Sequence, residues 1–332
     1  MVLKLKLDFD TRKNMSSFAY YYSKLKGLNK LHGIHLAQKL IRNWYDVIFF
    51  KAGIKKSIII KLRNGNNVNI DNIEAYNRFW EGEELLVERI SEIKSKGYDI
   101  NLNEKEHIIE IKKFGRNIKF YDVNRAINTI GLIKENFVDE HYRNLDIKDK
   151  DVVDVGANIG DTAIYFALKG AKHVYAFEPY PYSYNIAMKN IKLNCLEDRI
   201  TLLNEGCGIS GFVTIKEEYK STGRTDLKKF KEGNKIRVES LDEIVKRFNL
   251  KHSALKVDCE GCEYDLILNA SDEALKAFDQ IIMEYHYGYR NLVKRLRQTR
   301  FKVKYSLPKY FHNIEAEDSN TYLGLIFATR IG

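Results

Sequence analysis

The sequence predicts an α/β protein whose second half forms a mostly parallel sheet with helices on both faces. Two observations predict this fold class. After Lys150, apolar strand-like runs alternate with helical patterns such as "SYNIAMKNIKLN", which is typical of βαβ units. The first run leads through a glycine loop into a helix that begins at about Asp161. The seven strand-like runs are "VVDVGA", "HVYAFEP", "ITLLNEG", "SALKVDCEG", "QIIMEYH", "FKVKYSL" and "YLGLIFATR".

The first part of the chain is predicted to be an N-terminal α+β accessory region. Residues 15–53 carry apolar residues at helical spacing, and "KSIIIKLRNGNNVNID" is typical of a hairpin. A long amphipathic helix is predicted to end at Gly97, and a second hairpin follows around Gly115. We place the domain boundary at residue 125, which gives an accessory region of 1–125 and a second domain of 126–332.

The composition is that of an ordinary globular protein, with 44% hydrophobic and 30% charged residues in 332. No apolar stretch reaches the roughly 18 residues that a membrane span needs. Four cysteines favour reduced thiols and a cytoplasmic location. The pair Cys259 and Cys262 forms a C-x-x-C motif, which we interpret as two packing residues because no second pair completes a zinc site.

Positive charge is concentrated at the N-terminus. The net charge is +10, and residues 1–60 hold ten Lys and two Arg against three Asp, which accounts for +9. This asymmetry favours an anionic partner for residues 1–60, either RNA or an acidic membrane surface to which the protein binds peripherally. A solvated lysine-rich helical surface explains the same charge equally well.

The glycine loop after the first strand is predicted to bind an adenosine-bearing cofactor. A dinucleotide site needs a middle glycine for the pyrophosphate, and Asn158 occupies that position. The carboxylates of Asp154 and Asp161 also disfavour a pyrophosphate. They suit the amino-acid end of S-adenosylmethionine, with its ammonium at Asp154 and its carboxylate at the backbone amides. The predicted cofactor-binding residues of this segment are Asp154, Gly156, Ala157, Asn158 and Gly160.

Acidic residues also end the second and third predicted strands. Glu178 is placed to accept hydrogen bonds from both ribose hydroxyls, which is a feature shared with NAD sites. Glu205 is placed to meet the adenine edge. Because parallel strands end at one edge of a sheet, we expect both residues to lie beside the glycine loop.

The fourth and fifth strand ends carry the residues predicted to do the chemistry. "LKVDCEGCEYDLI" places Asp258 and Glu260 just past a buried strand, and "IIMEYHYGY" adds Glu284 and His286. Methyl transfer to a hydroxyl requires removal of its proton, which a carboxylate or a neutral imidazole can do. Glu260 and His286 are the favoured bases, with Asp258 orienting them or the substrate. Alternatively, Asp258 and Glu284 hold a divalent cation. For Glu263 we prefer a helix-capping role.

Residues from about Val138 to Ile331 resemble the FkbM family of S-adenosylmethionine-dependent methyltransferases. The segments that carry the resemblance are "DVGANIGDTAIYFA", "AFEPYPYSYNIAMKNIKLN", "VESLDEI", "LKVDCEGCEYDLI" and "IIMEYH". The resemblance implies a Rossmann-like seven-stranded fold and O-methylation of sugars, polyketides or other small-molecule hydroxyls. By matching positions it implies cofactor contacts at Asp154, Gly156, Gly160 and Glu178.

The sequence therefore predicts an S-adenosylmethionine-dependent O-methyltransferase that acts on a hydroxyl of a sugar, glycolipid or other small molecule. One alternative is an RNA methyltransferase that grips RNA through residues 1–60, although "DCEG" stands where base-nitrogen methyltransferases carry an Asn/Asp-Pro-Pro-aromatic element. Another is a cofactor-binding module without turnover. An NAD oxidoreductase is the residual alternative, and Asn158 disfavours it.

Overall fold

The structure is a computed structural model, and it describes residues 41–51, 53–61, 67–71, 84–103, 106–121, 126–215, 233–312 and 320–331. The chain divides into two compact units. One consists of residues 1–84 and 311–319, and the other of residues 85–310 and 320–332. The boundary predicted at residue 125 falls inside the second unit. The helical pattern predicted before residue 41 lies outside the described residues, as does most of the basic segment.

The described part of the first unit contains a helix and a hairpin. Helix α1 (Trp44–Lys51) precedes strands β1 (Ile58–Lys61) and β2 (Asn67–Ile70), which pair antiparallel and confirm the first predicted hairpin. The Asn43 side chain joins the two elements, because its amide donates to the Ile59 carbonyl (2.8 Å) and accepts from the Lys61 amide (2.8 Å).

The second unit contains the remaining helices and strands of the described residues. Its helices are α2 (Glu84–Ser95), α3 (Ala126–Ile133), α4 (Asp161–Leu168), α5 (Pro181–Leu193), α6 (Leu241–Phe248), α7 (Cys262–Leu268), α8 (Asp272–Lys276) and α9 (Arg290–Gln298), and a π-helical turn covers Lys134–Val138. Its strands are β3 (Ile100–Asn103), β4 (Ile108–Lys113), β5 (Arg116–Tyr121), β6 (Asp151–Val155), β7 (His173–Phe177), β8 (Ile200–Leu203), β9 (Gly206–Cys207), β10 (Gly211–Ile215), β11 (Asn234–Glu239), β12 (Ser253–Val257), β13 (Phe278–Tyr285), β14 (Phe301–Tyr305), β15 (Lys309–His312) and β16 (Asn320–Arg330).

The large sheet has the strand order β14-β16-β13-β12-β6-β7-β8, with β15 paired to β16 beyond this path. Strands β8, β7, β6, β12 and β13 pair in parallel, and β16 pairs antiparallel with both β13 and β14. Counted along the chain, the parallel strands run 3-2-1-4-5, which is the order of a Rossmann-like sheet. The predicted seven-stranded α/β fold is confirmed. Among the described residues, no helix is long and apolar enough to cross a membrane.

The burial pattern explains why these runs form a two-sided sheet. Every residue of β12 is buried, as are four of the five residues of β6, which is expected of parallel strands covered by helices on both faces. One apolar cluster lies on the side of α4 and α5, and another on the side of α6, α7 and α9. The central strands therefore form a rigid platform for the loops at their carboxyl ends.

A smaller three-stranded antiparallel sheet, β3-β4-β5, packs on α5 through two buried asparagines. Asn194 accepts from the Lys119 amide (3.0 Å) and donates to its carbonyl (2.7 Å), so one side chain continues the ladder of the edge strand. Asn190 accepts from the Tyr121 amide (2.8 Å) and donates to the Ile159 carbonyl (2.8 Å). Asn190 therefore also ties this sheet to the glycine loop.

Candidate active site

A cleft opens at the carboxyl ends of β6, β7 and β12, beside the switch point of the sheet. Its volume is about 700 Å³, including open solvent at the mouth. The residues that line it are Val155, Gly156, Asn158, Phe177, Glu178, Pro179, Tyr180, Ser183, Glu205, Cys207, Asp258, Cys259, Glu260 and Cys262.

The glycines of the loop after β6 are required by close packing of the chain itself. Gly156 has φ +80°, and a Cβ there would lie 1.9 Å from the Asp258 carbonyl oxygen. Gly160 has φ +83°, and its Cβ would lie 3.2 Å from Ala187 Cβ on α5. Gly156 lets the loops after β6 and β12 touch, and Gly160 lets α4 approach α5. Gly156 and Asn158 line the cleft, whereas the predicted contacts Ala157 and Gly160 do not.

The backbone amides of this loop are already bonded within the chain. The Gly156 and Ala157 amides both donate to the Phe177 carbonyl (3.0 Å each), and the Gly160 amide donates to the Ala157 carbonyl (2.7 Å). The Asn158 amide donates to Glu178 Oε2 (2.8 Å). These four N–H groups therefore donate within the chain in this structure, and the binding of a ligand carboxylate by the loop amides stays a prediction.

Asp154 lies inside the sheet and not on the cleft. Its carboxylate is fully buried, accepts a hydrogen bond from the Thr162 hydroxyl (2.5 Å), and lies 3.0 Å from the Lys256 ammonium. The expected direct pairing of Asp154 with the cofactor's ammonium stays a prediction, and the cation beside Asp154 in this structure is the Lys256 ammonium. Lys256 also donates to the Gly156 carbonyl (2.8 Å), so the Lys256–Asp154 pair supports the glycine loop.

Glu178 does lie on the cleft, as predicted, and it is 5% exposed. Its two oxygens accept from the Asn158 amide (2.8 Å) and the Tyr180 amide (2.9 Å), which fixes the carboxylate between the glycine loop and the start of α5. Burial raises the pKa of Glu178 to about 7, and the two backbone hydrogen bonds only partly oppose this shift. The carboxylate therefore titrates near neutral pH.

The acidic residues after β12 meet His286 at the end of β13. His286 Nε2 lies 3.1 Å from Glu260 Oε2, and its Nδ1 lies 3.0 Å from Glu263 Oε1. Glu263 is fully buried and also accepts from the His286 amide (2.9 Å) and the Gly261 amide (2.9 Å). Asp258 accepts a long hydrogen bond from the Tyr142 hydroxyl (3.4 Å). The three predicted catalytic residues are thus brought together, and Asp258 and Glu260 line the cleft.

Residues 154–314, which include every residue that lines this cleft, match the methyltransferase FkbM domain. This part of the chain is an FkbM methyltransferase domain. The family makes this region of the chain an S-adenosylmethionine-dependent methyltransferase domain.

Two curated proteins are similar to parts of this FkbM methyltransferase. The chain is 46% identical over 54 residues to the ribosomal protein L11 methyltransferase of Carboxydothermus hydrogenoformans, covering 16% of this chain and 18% of the relative. It is 30% identical over 157 residues to the uncharacterized protein 158B of Sulfolobus islandicus rod-shaped virus 1, covering 47% of this chain and 73% of the relative.

Solved structures with a similar fold include other methyltransferases. TrmK of M. capricolum, in complex with S-adenosylhomocysteine, has a TM-score of 0.36 and 15% identity, covering 55% of this chain and 64% of its own. An rRNA methylase from Streptococcus thermophilus has a TM-score of 0.36 and 13% identity, covering 56% and 90%. Our fold assignment rests on the strand order of the large sheet.

The charge of the FkbM cleft fits the cofactor of the family. Four carboxylates line it, from Glu178, Glu205, Asp258 and Glu260, and no lysine or arginine is among the lining residues. A ligand that carries an ammonium and a sulfonium is attracted by this field, whereas the pyrophosphate of NAD is repelled. Phe177 and Tyr180 are the aromatic residues among those that line the cleft, and both are buried.

Glu205 lies at the far side of the cleft and is held by an arginine that the sequence did not reveal. Arg247 Nη1 lies 2.8 Å from Glu205 Oε2 and 2.9 Å from Glu239 Oε1, and Glu239 is fully buried. Burial and the neighbouring Glu205 raise the pKa of Glu239, which Arg247 and Arg237 oppose. Glu205 is therefore a fixed acceptor, and its predicted contact with the adenine edge stays a prediction.

The charge state of His286 differs from the one that a base requires. Burial disfavours its charged form, but hydrogen bonds to Glu260 and Glu263 outweigh burial and raise its pKa to about 11. In this arrangement the imidazole is protonated and donates from both nitrogens. The prediction that His286 accepts a proton is therefore not supported, and the residue holds the Glu260 carboxylate in place.

Two further carboxyl groups near Asp258 have strongly shifted pKa values. Burial and repulsion by Asp258 raise the pKa of Glu284 to about 8 and that of Glu135 to about 7. Glu135 was missed at the sequence level. It lies in the π-helical turn after α3, and such turns are frequent at functional sites. The carboxyl groups of Glu135 and Glu284 therefore both titrate near neutral pH.

The C-x-x-C pair is bonded. Cys259 and Cys262 form a disulfide with Cα atoms 5.5 Å apart, a usual spacing for such a bond. The expectation of two reduced packing thiols is wrong here, because left-handed backbone at Glu260 (φ +56°) and a positive φ at Gly261 (+125°) turn the loop back on itself. Cys195 and Cys207 are free thiols.

One group of side chains in the described part of the chain could hold a metal ion. One ligand atom from each of Asp258, Glu260 and His286 lies within 4.8 Å of the others. Carboxylate oxygens with one imidazole suit a divalent cation such as Mn²⁺ or Zn²⁺. The predicted alternative of a cation at Asp258 and Glu284 stays a prediction, and Asp258, Glu260 and His286 are a second candidate set.

Proposed function

We propose that this FkbM methyltransferase transfers the methyl group of S-adenosylmethionine to a hydroxyl oxygen of a sugar, glycolipid or other small molecule. The observation that carries the proposal is the pair of carboxylates, Asp258 and Glu260, which line the cofactor cleft and are backed by His286. An alcohol needs its proton removed as it attacks, and a carboxylate in the cleft can accept that proton.

The residues of the cleft have separate roles in this reaction. Glu178 and Glu205 bind the ribose and adenine ends of the cofactor, and the Lys256–Asp154 pair supports the glycine loop. Glu260 accepts the proton of the attacking hydroxyl, and His286 fixes the Glu260 carboxylate by donating from Nε2 (3.1 Å). Asp258 orients the acceptor hydroxyl. When bound, the cofactor supplies an electrophilic methyl group, and the C–S bonding pair stays with its sulfur.

The charge around the acceptor side favours an uncharged acceptor. Asp258, Glu260, Glu284 and Glu135 interact electrostatically, and burial together with repulsion by Asp258 raises the pKa values of Glu284 and Glu135. A phosphate group entering this region would add to the same repulsion. A glycan or another polyol offers hydroxyl donors to these carboxylates without adding negative charge.

A divalent cation is the second route to an activated hydroxyl. Bound to Asp258, Glu260 and His286, it would displace the proton from His286 Nε2 and lower the pKa of a coordinated alcohol. The two routes differ in their response to a chelator. Dialysis against EDTA leaves turnover unchanged if Glu260 acts as a base, and abolishes turnover until Mg²⁺ or Mn²⁺ is restored if a cation acts.

An RNA acceptor remains the second candidate because residues 1–60 carry a charge of +9. We propose that this segment belongs to the N-terminal accessory region and binds an anionic surface, either RNA or an acidic membrane face. Removal of residues 1–40 leaves α1 and the β1–β2 hairpin in place. If this deletion leaves binding to both RNA and acidic vesicles unchanged, the proposal for the segment is wrong.

The proposal is tested first by calorimetric titration with S-adenosylhomocysteine, with NAD in parallel. We expect micromolar binding of the former and none of the latter. Release of S-adenosylhomocysteine is then measured with a panel of mono- and oligosaccharides, polyols and total RNA. A methyl ether on a saccharide supports the proposal. Methylated RNA, bound with an affinity that falls steeply with salt, would replace it.

A further inference from the structure

The disulfide between Cys259 and Cys262 lies on the wall of the cofactor cleft. Both cysteines line the cleft, and both are half-buried. The other two cysteines are not bonded, since Cys195 is exposed on the surface and Cys207 is buried. Disulfides that are partly accessible are the ones that small thiols and dithiol proteins can reduce. A change in the redox state of this bond can therefore affect a ligand in the cleft.

The ring closed by this disulfide contains Glu260. The ring spans four residues, and Glu260 within it has a left-handed backbone (φ +56°), which is uncommon for a residue with a Cβ. In this conformation its carboxylate meets His286 Nε2 at 3.1 Å. The next residue, Gly261, donates its amide to the fully buried Glu263 (2.9 Å). The disulfide thus holds an unfavourable backbone conformation that places the Glu260 carboxylate.

The same loop also forms part of the cleft beside the glycine loop. The Asp258 amide donates to the Val155 carbonyl (3.0 Å), and the Asp258 carbonyl fills the space where a Gly156 side chain would lie. A movement of residues 258–262 therefore changes the packing of the glycine loop. Through this contact, a change in the redox state of the disulfide affects the cofactor site as well as the position of Glu260.

We propose that Cys259 and Cys262 form a reversible redox site that controls the active-site loop. In the oxidised form the S–S bond holds Glu260 against His286 and keeps the cleft ready for the cofactor. A dithiol, or two molecules of a monothiol such as glutathione, donates two electrons and two protons, which gives two cysteine thiols and a disulfide of the reductant. Without the bond the loop relaxes out of the left-handed conformation at Glu260. The inference rests on the assignment of the cleft to the cofactor.

The test compares the full-length protein in its two redox states. Samples are incubated with dithiothreitol or with oxidised glutathione, and mass spectrometry after thiol alkylation counts the free cysteines. S-adenosylhomocysteine is then titrated calorimetrically into each sample. We expect binding about five- to tenfold weaker in the reduced protein, because the cofactor then has to order the released loop. Equal affinities would overturn the inference, and so would free thiols at 259 and 262 in the oxidised sample.

Variants separate this disulfide from other effects of the redox buffer. In the protein with both Cys259→Ser and Cys262→Ser, the affinity for S-adenosylhomocysteine no longer responds to the buffer. The Cys195→Ser protein, which changes an exposed free cysteine, keeps the full response. If the double variant still responds, the redox effect does not come from this pair and the inference is wrong.

Hydrogen exchange gives a measurement that does not depend on the ligand. The Gly261 amide is bonded to Glu263, and its exchange reports on the loop directly. We expect it to exchange about tenfold faster in the reduced protein. An unchanged exchange rate at Gly261 would overturn the inference. If S-adenosylhomocysteine binds in neither redox state, the cofactor assignment fails, and the exchange rate still decides whether the disulfide controls the loop.

Discussion

The ammonium of Lys256 lies 3.0 Å from the carboxylate of Asp154, between neighbouring strands β12 and β6, and both side chains are buried. Burial alone would favour a neutral lysine, but Asp154 and Asp258 outweigh it and raise the pKa of Lys256. The lysine also donates to the Gly156 carbonyl. A charged pair inside an apolar sheet therefore supports the loop that forms one wall of the cleft.

Replacing Lys256 by methionine is expected to unfold much of the protein. The change leaves the Asp154 carboxylate buried with only Thr162 as a partner, and breaking a buried pair in this way costs about 3–5 kcal/mol. Denaturant unfolding measures the loss. The control is Lys172→Met, which breaks the ion pair with Asp151 (3.3 Å) on the surface and is expected to cost less than about 1 kcal/mol. Equal costs for the two variants would contradict the role given to Lys256.

Alanine variants at Gly156 and Gly115 distinguish the cost of a close contact from the cost of backbone strain. Both have a positive φ, +80° and +73°, but a Cβ at Gly156 would meet the Asp258 carbonyl at 1.9 Å, whereas nothing lies within 4 Å at Gly115. We expect Gly115→Ala to cost about 1 kcal/mol of stability and to leave S-adenosylhomocysteine binding unchanged. We expect Gly156→Ala to cost more than about 3 kcal/mol and to abolish binding. Thermal unfolding and calorimetry of both variants check this.

The alternation of strands and helices could be predicted because each run carries its own local pattern. All seven predicted strands after Lys150 are present in the large sheet. The strand ends followed from the same pattern, so Glu178, Asp258 and Glu260 were correctly placed at the cleft. The position of a residue at a strand end is a local property, and one sequence is enough to predict it.

The partners of these residues could not be predicted, because they depend on contacts between distant parts of the chain. Asp154 was assigned to the cofactor, yet its cation is Lys256, which is 102 positions later and beside it in the register of β6 and β12. The one signal was a lysine inside the apolar run "ALKV", since a lysine is rarely buried unless it is paired. The bond between Cys259 and Cys262 depends on positive φ values in the loop, which no composition rule indicates.

The affinity for the cofactor is expected to depend on pH through Glu178. Burial raises its pKa to about 7, so the carboxylate is mostly protonated at pH 6 and mostly ionised at pH 8. The ionised form is the better acceptor for ribose hydroxyls, so binding strengthens as the pH rises through 7. For a group of this pKa the ionised fraction changes about tenfold between pH 6 and pH 8, and affinity follows it. Calorimetry with S-adenosylhomocysteine at several pH values measures the effect.

A matched variant isolates this effect from the other carboxyl groups of the cleft. Glu178→Gln keeps the size and one acceptor oxygen but cannot ionise, so its affinity is expected to be lower and independent of pH between 6 and 8. Glu110→Gln changes a half-buried carboxylate on β4 that pairs with Lys119 (3.3 Å) away from the cleft, and it should keep the wild-type pH dependence. A pH dependence that survives in Glu178→Gln would assign the titrating group elsewhere.

Glu260→Gln separates proton transfer from cofactor binding. The glutamine has the same shape and can still accept a hydrogen bond from His286 Nε2, but it cannot take the proton of an attacking hydroxyl. We expect the rate of methyl transfer to fall about 10²- to 10⁴-fold, the usual contribution of a general base, while the affinity for S-adenosylhomocysteine changes less than about threefold. Single-turnover kinetics with the acceptor found in the panel measures the rate. A variant that methylates at the wild-type rate would remove Glu260 as the base, and the raised pKa of Glu284, about 8, would then make Glu284→Gln the next substitution to measure.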